Sequence, residues 1–287
     1  MKIITILNFK GGVGKSETTK NIAKGFVDSG LKVLVVDNDP QANTTKALNG
    51  SISLDQISIS QNIQTEKDLI NMFMDIDEDT GIYLEDLYSE PTKTLKAIRK
   101  TKIKNLDLLS CSLKLANTDT TLRLDTMKPQ QDRLKKVLRQ VKDNYDYCII
   151  DCPPILNLLT INALIASNCD CIIPIKVDFA GLQGWSMTVN FINALKSSFD
   201  LEIDYKVVFT MVQKTSRGWI KTSNKIIELF NQIIPSKTLK TIIRNQTAPV
   251  IDAGFKSKFV INDHAANVGQ DYRDLVIEIK NKENGEE

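Results

Sequence analysis

The sequence predicts a doubly wound α/β fold, a mostly parallel sheet with helices on both faces. Two observations carry that expectation. Short runs that are apolar at nearly every position recur along the chain, such as Leu31–Val36 (Leu-Lys-Val-Leu-Val-Val) and Tyr147–Ile150. Strands covered on both faces read in this way, whereas half-solvated strands alternate apolar with polar. Longer stretches with apolar residues at helical spacing separate these runs, and that alternation is the signature of parallel strands joined by crossover helices.

The first forty residues read as strand, loop, helix, strand. Residues 2–8 form an apolar strand, a glycine loop follows, and a helix runs from about Lys15 to Ser29. Gly30 stands where a left-handed cap ends a helix. Further strands are expected at Tyr147–Ile150, Cys171–Ile175 and Lys206–Thr210, with helices over 131–144, 157–167, 181–198 and 217–231. Residues 50–105 break the rhythm: polar and charge-segregated, they read as a surface elaboration with short helices. The last residues, Asn281–Glu287, read as frayed. With no internal repeat and no linker, residues 1–287 form one domain.

Composition narrows the function classes. A hydrophobic fraction of 42% and a charged fraction of 25% are ordinary for a globular protein. No apolar run approaches the roughly 18 residues of a membrane span. The chain enters a strand-like run at Lys2 without a signal-peptide layout, which predicts a cytoplasmic location. Of the five cysteines, Cys111, Cys148, Cys152, Cys169 and Cys171, none forms a CxxC pair. Buried thiols in a reducing compartment fit that spacing better than a metal or redox centre.

The net charge of +2 conceals blocks. From Glu66 to Glu90 nine acidic residues face one lysine, whereas Lys93–Lys104 holds six basic residues and no acid. From Tyr205 to Lys258 ten basic residues face two acidic ones. Such a tract forms either a solvated face or an electrostatic footprint for nucleic acid. Lys237, Lys240, Arg244, Lys256 and Lys258 are the candidate DNA contacts. The single histidine, His264, has no paired nucleophile and receives no role.

The chemistry concentrates at strand ends. Gly11-Gly12-Val13-Gly14-Lys15-Ser16 follows a strand and opens a helix, the context of a P-loop. Phe9 stands where a strict motif has glycine, so the form is deviant. Glycines let backbone N–H groups turn toward phosphates, and the helix N-terminus adds positive potential. Lys15 would reach the β and γ phosphates of ATP and the Ser16 hydroxyl would ligate Mg²⁺. Val35-Val36-Asp37-Asn38-Asp39-Pro40-Gln41 and Ile149-Ile150-Asp151-Cys152-Pro153-Pro154 place carboxylates at the same edge of the sheet. Asp151 suits holding Mg²⁺, Asp39 suits positioning the attacking water, and Asp37 suits supporting the metal. A strand-ending aspartate alone is commonly a turn former; three converging on one loop are a site.

These three segments resemble the deviant Walker A, Walker A′ and Walker B motifs of ParA-type partition ATPases, within the wider ParA/MinD superfamily of P-loop NTPases. The similarity continues through Leu158-Leu159-Thr160-Ile161-Asn162-Ala163-Leu164 and Ile173-Pro174-Ile175, and more weakly through Phe209-Thr210-Met211 and Ile242-Ile243-Arg244-Asn245. Asp-x-Asp-Pro-Gln favours the ParA branch. The resemblance implies that Lys10 crosses a dimer interface to the partner's ATP, so that ATP creates a homodimer. It further implies binding of non-specific double-stranded DNA by that dimer, a nucleoid-associated location, and stimulation of hydrolysis by a ParB-like centromere-binding protein.

The sequence departs from the family pattern at Ser16-Glu17, where family members carry Thr-Thr. The family residue at position 17 donates to the α phosphate, so Glu17 is expected to point away and to contribute its backbone N–H. Met211 and Ile243 are the expected adenine contacts, Ile243 standing where the family often has proline. The nearest rival is a MinD-like membrane-associated ATPase, but the end of the chain, Ile277–Glu283, is too polar and short for an anchoring helix. A nucleotide-gated regulator that barely hydrolyses is the other alternative, and Asp39 argues against it.

Overall fold

The computed structural model describes residues 1–49, 65–67, 81–167, 170–202, 204–216, 218–256 and 258–284. An eight-stranded sheet dominates it, in the order β10-β7-β6-β1-β5-β2-β4-β3. The strands are β1 Lys2–Ile6, β2 Val33–Asp37, β3 Ile98–Lys100, β4 Leu106–Leu109, β5 Tyr147–Asp151, β6 Asp170–Lys176, β7 Asp204–Val212 and β10 Thr238–Arg244. All neighbouring strands run parallel except β3, which pairs antiparallel with β4 at the edge. Short β8 (Lys214–Thr215) and β9 (Gly218–Trp219) form a separate hairpin.

The helices are α1 Lys15–Asp28, α2 Asn43–Asn49, α3 Leu84–Ser89, α4 Thr94–Ala97, α5 Thr118–Leu124 and α6 Arg133–Arg139. They continue with α7 Leu158–Ser167, α8 Phe179–Phe199, α9 Lys221–Ile233, α10 Thr247–Phe255 and α11 Asn267–Asn284. Successive strand residues point to opposite faces, and the two cores follow that alternation. Ile4, Ile6, Val33, Val35 and Ile149 pack beneath α1 and α11, against Phe26, Leu275 and Val276. Leu34, Val36, Cys148, Ile150 and Ile173 pack on the other side, against residues of α3, α6, α7, α8 and α9. Continuous burial is therefore the consequence of two covered faces.

Helix ends have local causes. Gly30 adopts φ +86°, the left-handed region, where its N–H closes the last turn on Val27 O at 2.9 Å. Asp178 caps α8 by accepting from Gly181 N at 2.8 Å.

Several expectations need correction. The segment expected as surface elaboration over 50–105 is integral to the sheet in its second half: Leu84, Leu87 and Tyr88 of α3 are fully buried, and β3 lies in the sheet. Residues 50–64 and 68–80 lie outside the described residues. Polar composition hid the core there, because its apolar residues come from single short turns. Strands β3, β4 and β10 carry charged residues (Arg99 and Lys100, Asp107, Lys240), which mask the strand pattern. The helix expected over 217–231 begins at Lys221, and the one over 131–144 covers only Arg133–Arg139. The segment expected to fray from Asn281 remains helical to Asn284. Four cysteines are buried and unbonded among the described residues, and Cys169 lies outside them.

Gly25 lets α1 lie close against Val276 of α11. A methyl there would stand 2.5 Å from Val276 Cγ2 and 2.9 Å from Ile261 Cδ1. Alanine gains about 1 kcal/mol of helix propensity over glycine, whereas overpacking a core costs about 1–3 kcal/mol. Gly25→Ala is therefore expected to lower the thermal midpoint; a rise would show that α11 yields freely.

Candidate nucleotide site

The carboxyl ends of β1, β2 and β5 form the site, and each contributes one loop. After β1 the chain turns through Gly12 (φ +73°) and Gly14 (φ +85°) into α1. Both values lie in the region that favours glycine, so Gly11, Gly12, Val13 and Gly14 form a backbone cradle whose N–H groups lead into the helix start. Its position is fixed from elements far away in sequence. Asn8 donates to Pro174 O (2.8 Å) and accepts from Lys10 N (2.8 Å), while Phe9 N donates to Thr188 Oγ1 (3.1 Å). Thr210 Oγ1 donates to Val13 O at 2.8 Å, and Met211 Cε lies 3.8 Å from where a Gly14 methyl would stand.

Lys15 is 7% exposed and folds back so that Nζ donates to Lys10 O at 3.2 Å. Burial pulls its ammonium below the usual lysine range, against the raising influence of Asp151 and Asp39. Asp151 and Asp39 lie near it, and Asp37 lies against Asp151. Asp37 is fully buried and accepts from Thr45 N (2.6 Å) and Asp39 N (3.3 Å). Burial first, and then the Asp151 charge, push it up to about 8. Asp39 is 8% exposed and accepts from Gln41 N at 3.0 Å. Asp151 accepts from Thr44 Oγ1 at 2.6 Å, and burial raises its pKa although Thr44, Ser16 and Lys15 oppose the shift.

Glu17 lies on the first turn of α1, with its carboxylate turned along the helix. It accepts from Asn21 Nδ2 at 2.7 Å and pairs with Lys20 Nζ at 2.7 Å. The i,i+3 and i,i+4 neighbours of a helix supply both contacts. Lys10 is exposed, on the loop in front of the cradle; the Asp178 pKa is lowered chiefly by its bond with Lys176, with a smaller contribution from the Lys10 charge.

A family model described as an AAA domain matches residues 1–205. The chromosome partitioning protein ParA of Myxococcus xanthus (strain DK1622) is 30% identical over 269 residues, covering 90% of this chain and 83% of that protein. The chain belongs to the ParA family of partition ATPases. Similarity extends to the sporulation initiation inhibitor protein Soj of Bacillus subtilis, 29% identical over 279 residues and covering 97% of this chain and 98% of that one. In fold, the chain matches the structure of a variant McdA from Cyanothece in complex with ATP, with a TM-score of 0.80 at 19% identity, over 98% of this chain and 96% of that one. As a ParA-family member the protein is an ATPase, an activity that calls for ATP and Mg²⁺.

The residues present fit those cofactors. Asp151 Oδ1 is buried without a hydrogen-bond partner, in a pocket with three carboxylates and one ammonium. A cation would offset the carboxylate charge that the single Lys15 ammonium leaves unmet. No cluster of three or more His, Cys, Asp or Glu with metal-holding geometry exists among the described residues. Mg²⁺ does not need one, since it keeps waters and takes phosphate oxygens alongside one or two protein ligands. Ser16 beside Asp151 supplies the hard oxygen donors.

Two groups of expected residues are placed differently. Ile243 cannot pack on adenine: it is 3% exposed and faces the α1–α11 core, because strand alternation on β10 turns it there. Met211, 37% exposed, does flank the loop. Arg244 cannot offer its guanidinium to DNA while it binds Asp271 in a fork, Nε to Oδ2 at 2.7 Å and Nη2 to Oδ1 at 2.6 Å. Lys237 pairs with Asp204 and stands over the Tyr205 ring. It also sits seven residues from Arg244 along the β10 segment, about 23 Å at strand rise. Lys240, Lys256 and Lys258 are exposed, Lys256 lying 3.8 Å from Asp252.

The supporting residues Asn8, Thr44, Thr45, Thr188 and Gly184 carry no motif signal, and Thr210 lies in the weaker stretch of the resemblance. Among them Gly184 of α8 stands against the loop itself. A methyl there would lie 2.4 Å from Asn8 Oδ1, 2.6 Å from Lys10 Cβ and 3.0 Å from Lys10 N. Gly184→Ala is expected to displace the loop and weaken ATP binding about tenfold or more; unchanged affinity in calorimetry would show that the loop is set elsewhere. A second expectation concerns pH. Asp37 ionises near 3.8 in a free chain and near 8 in the fold. Between those values the folded protein holds more protons, so the nucleotide-free protein loses stability as pH rises, by up to about 1.4 kcal/mol per pH unit. Asp37→Asn should flatten that slope in urea unfolding from about pH 5 to 8, and parallel slopes would contradict the burial of this charge.

Proposed function

We propose that this partition ATPase dimerises on MgATP, binds double-stranded DNA without sequence preference, and leaves it when a ParB-like centromere-binding partner stimulates hydrolysis. The observation that carries the reading is the joining of a glycine cradle, Lys15 and three strand-end aspartates at one sheet edge in a ParA-family chain. Relatives named for chromosome partitioning over most of the chain support the biological role.

In this reading the backbone N–H groups of Gly11 to Glu17 cradle the phosphates, and Lys15 neutralises the β and γ phosphates. Ser16 and Asp151 would hold Mg²⁺, with Asp37 behind them, and the ion would supply positive charge to offset that of the phosphates. Asp39 orients the attacking water. Lys10, exposed in front of the loop, reaches the phosphates bound by a second copy, where added positive charge offsets repulsion between two anionic sites. Exposed Ile155, Leu156 and Phe179 (53%, 58% and 84%) follow the strand ends and suit a surface covered in a homodimer.

DNA binding draws support from exposed Lys240, Lys256 and Lys258, which suit phosphate contacts rather than base reading. No helix of the described residues is long and apolar enough to cross a membrane. A cytoplasmic, nucleoid-associated location follows from the proposal.

The deciding experiment is binding to non-specific duplex DNA with ATP, with ADP and without nucleotide, across a salt series. Binding is expected with ATP alone, weakening steeply with salt at roughly 0.9 in log–log slope per phosphate contacted. Lys15→Ala should lose nucleotide and DNA together. Asp39→Ala should retain both but release no phosphate. DNA binding that ignores nucleotide, or phosphate release by Asp39→Ala, would overturn the corresponding part of the proposal.

A further inference from the structure

Asn38 stands between the two aspartates at the end of β2, and its side chain is fully buried. Its Nδ2 donates to Leu159 O of α7 at 3.0 Å. Its Oδ1 accepts the Tyr88 hydroxyl of α3 at 2.8 Å, and its N–H donates to Asp151 O at 2.9 Å. We propose that Tyr88 is a positioning residue for ATP hydrolysis, which through Asn38 sets the direction in which Asp37 and Asp39 point. This inference rests on the reading of Asp39 as the residue that orients the attacking water.

Asn38 directly follows Asp37, the last residue of β2, and directly precedes Asp39, where the chain bends, so a rotation that draws Asn38 out of its pocket turns the carboxylates on either side of it from their present directions. Tyr88 is held firmly enough to resist that rotation. It is fully buried alongside Leu84 and Leu87, and its carbonyl accepts from Arg133 Nη1 at 3.3 Å. Arg133 is itself 3% exposed and anchored to Pro129 O at 2.7 Å. Burial keeps the Tyr88 hydroxyl far above its ordinary pKa, so it remains a donor. The far side of the segment is clamped as well. Cys111 Sγ donates to Asp39 O at 3.1 Å, while Cys111 N donates to Thr45 Oγ1 at 3.2 Å and Thr45 N binds Asp37. Asp39 thus lies between two fixed elements, and Tyr88 is the one whose bond can be removed with little change in side-chain volume.

A tyrosine that merely fills the core gives a different result from one that positions Asp39. Tyr88→Phe keeps the ring, removes the donor and leaves Asn38 Oδ1 unpartnered. Its kcat for ATP hydrolysis, per folded molecule and well below the melting temperature, is expected to fall about tenfold, with ATP affinity by calorimetry within about twofold of wild type. Asn38→Leu should show a similar loss, and the double variant should be no slower than the slower single one, because both act through one link. A merely structural Tyr88 lowers the melting temperature and leaves kcat unchanged, which would overturn the inference, as would losses that multiply in the double variant or an equal loss of ATP affinity. Asp39→Ala, measured in parallel, separates the two layers. If it is inactive while Tyr88→Phe is fully active, the positioning role alone is overturned. If it hydrolyses normally, the reading of Asp39 is overturned, and Tyr88 loses the task assigned here.

Discussion

Three carboxylates and one ammonium share the carboxyl edge of the sheet, nearly out of water. Removing ionised groups from water costs several kcal/mol each unless other charges and hydrogen bonds compensate. Much of the surrounding structure is that compensation. Thr44 serves Asp151, the N–H groups of Thr45 and Asp39 serve Asp37, and Gln41 N serves Asp39. The compensation stops short of neutrality: Asp37 is pushed up to about 8, and one oxygen of Asp151 has no partner. The protein therefore holds a standing demand for positive charge, which the proton on Asp37 meets in part and a bound cation would meet further. Ligand binding and stability are linked through this deficit.

The same constraint accounts for the reach of the loop's contacts. A glycine-rich turn has few side chains with which to fix itself. Its position comes from Asn8 bridging to β6, from Thr188 and Gly184 on α8, and from Thr210 at the end of β7. These partners lie up to 197 residues away. Folding of the parallel sheet and assembly of the site are thus one event, since no local segment holds the loop alone.

Charge blocks along the chain behave differently once folded. The positive balance of the 205–258 tract is partly met by acids that the tract does not contain. Asp271 takes Arg244, and Glu278 receives the backbone N–H groups of Lys240 and Thr241. Asp204 takes Lys237 just ahead of the tract. What remains exposed is a smaller group of lysines, a weaker field than a linear count suggests and one more sensitive to salt.

Fold class, the three motif loops and their gathering at one edge are written into the chain's local pattern. Residues such as Val33–Val36, Gly12, Gly14, Asp37 and Asp151 are constrained by local physics: burial on both faces, positive φ, and the end of a parallel strand. Short or polar elements depend instead on partners that only the folded chain supplies. Leu84, Leu87 and Tyr88 become core because helix α6 covers them, and β3 becomes a strand because β4 offers it an edge. Ile243 turns from the expected adenine contact to core through the alternation of β10, and Arg244 is claimed by Asp271 across the fold. Pairing between distant side chains leaves no periodic trace in the chain, so Asn38 and Tyr88, 50 positions apart, meet only in the folded protein.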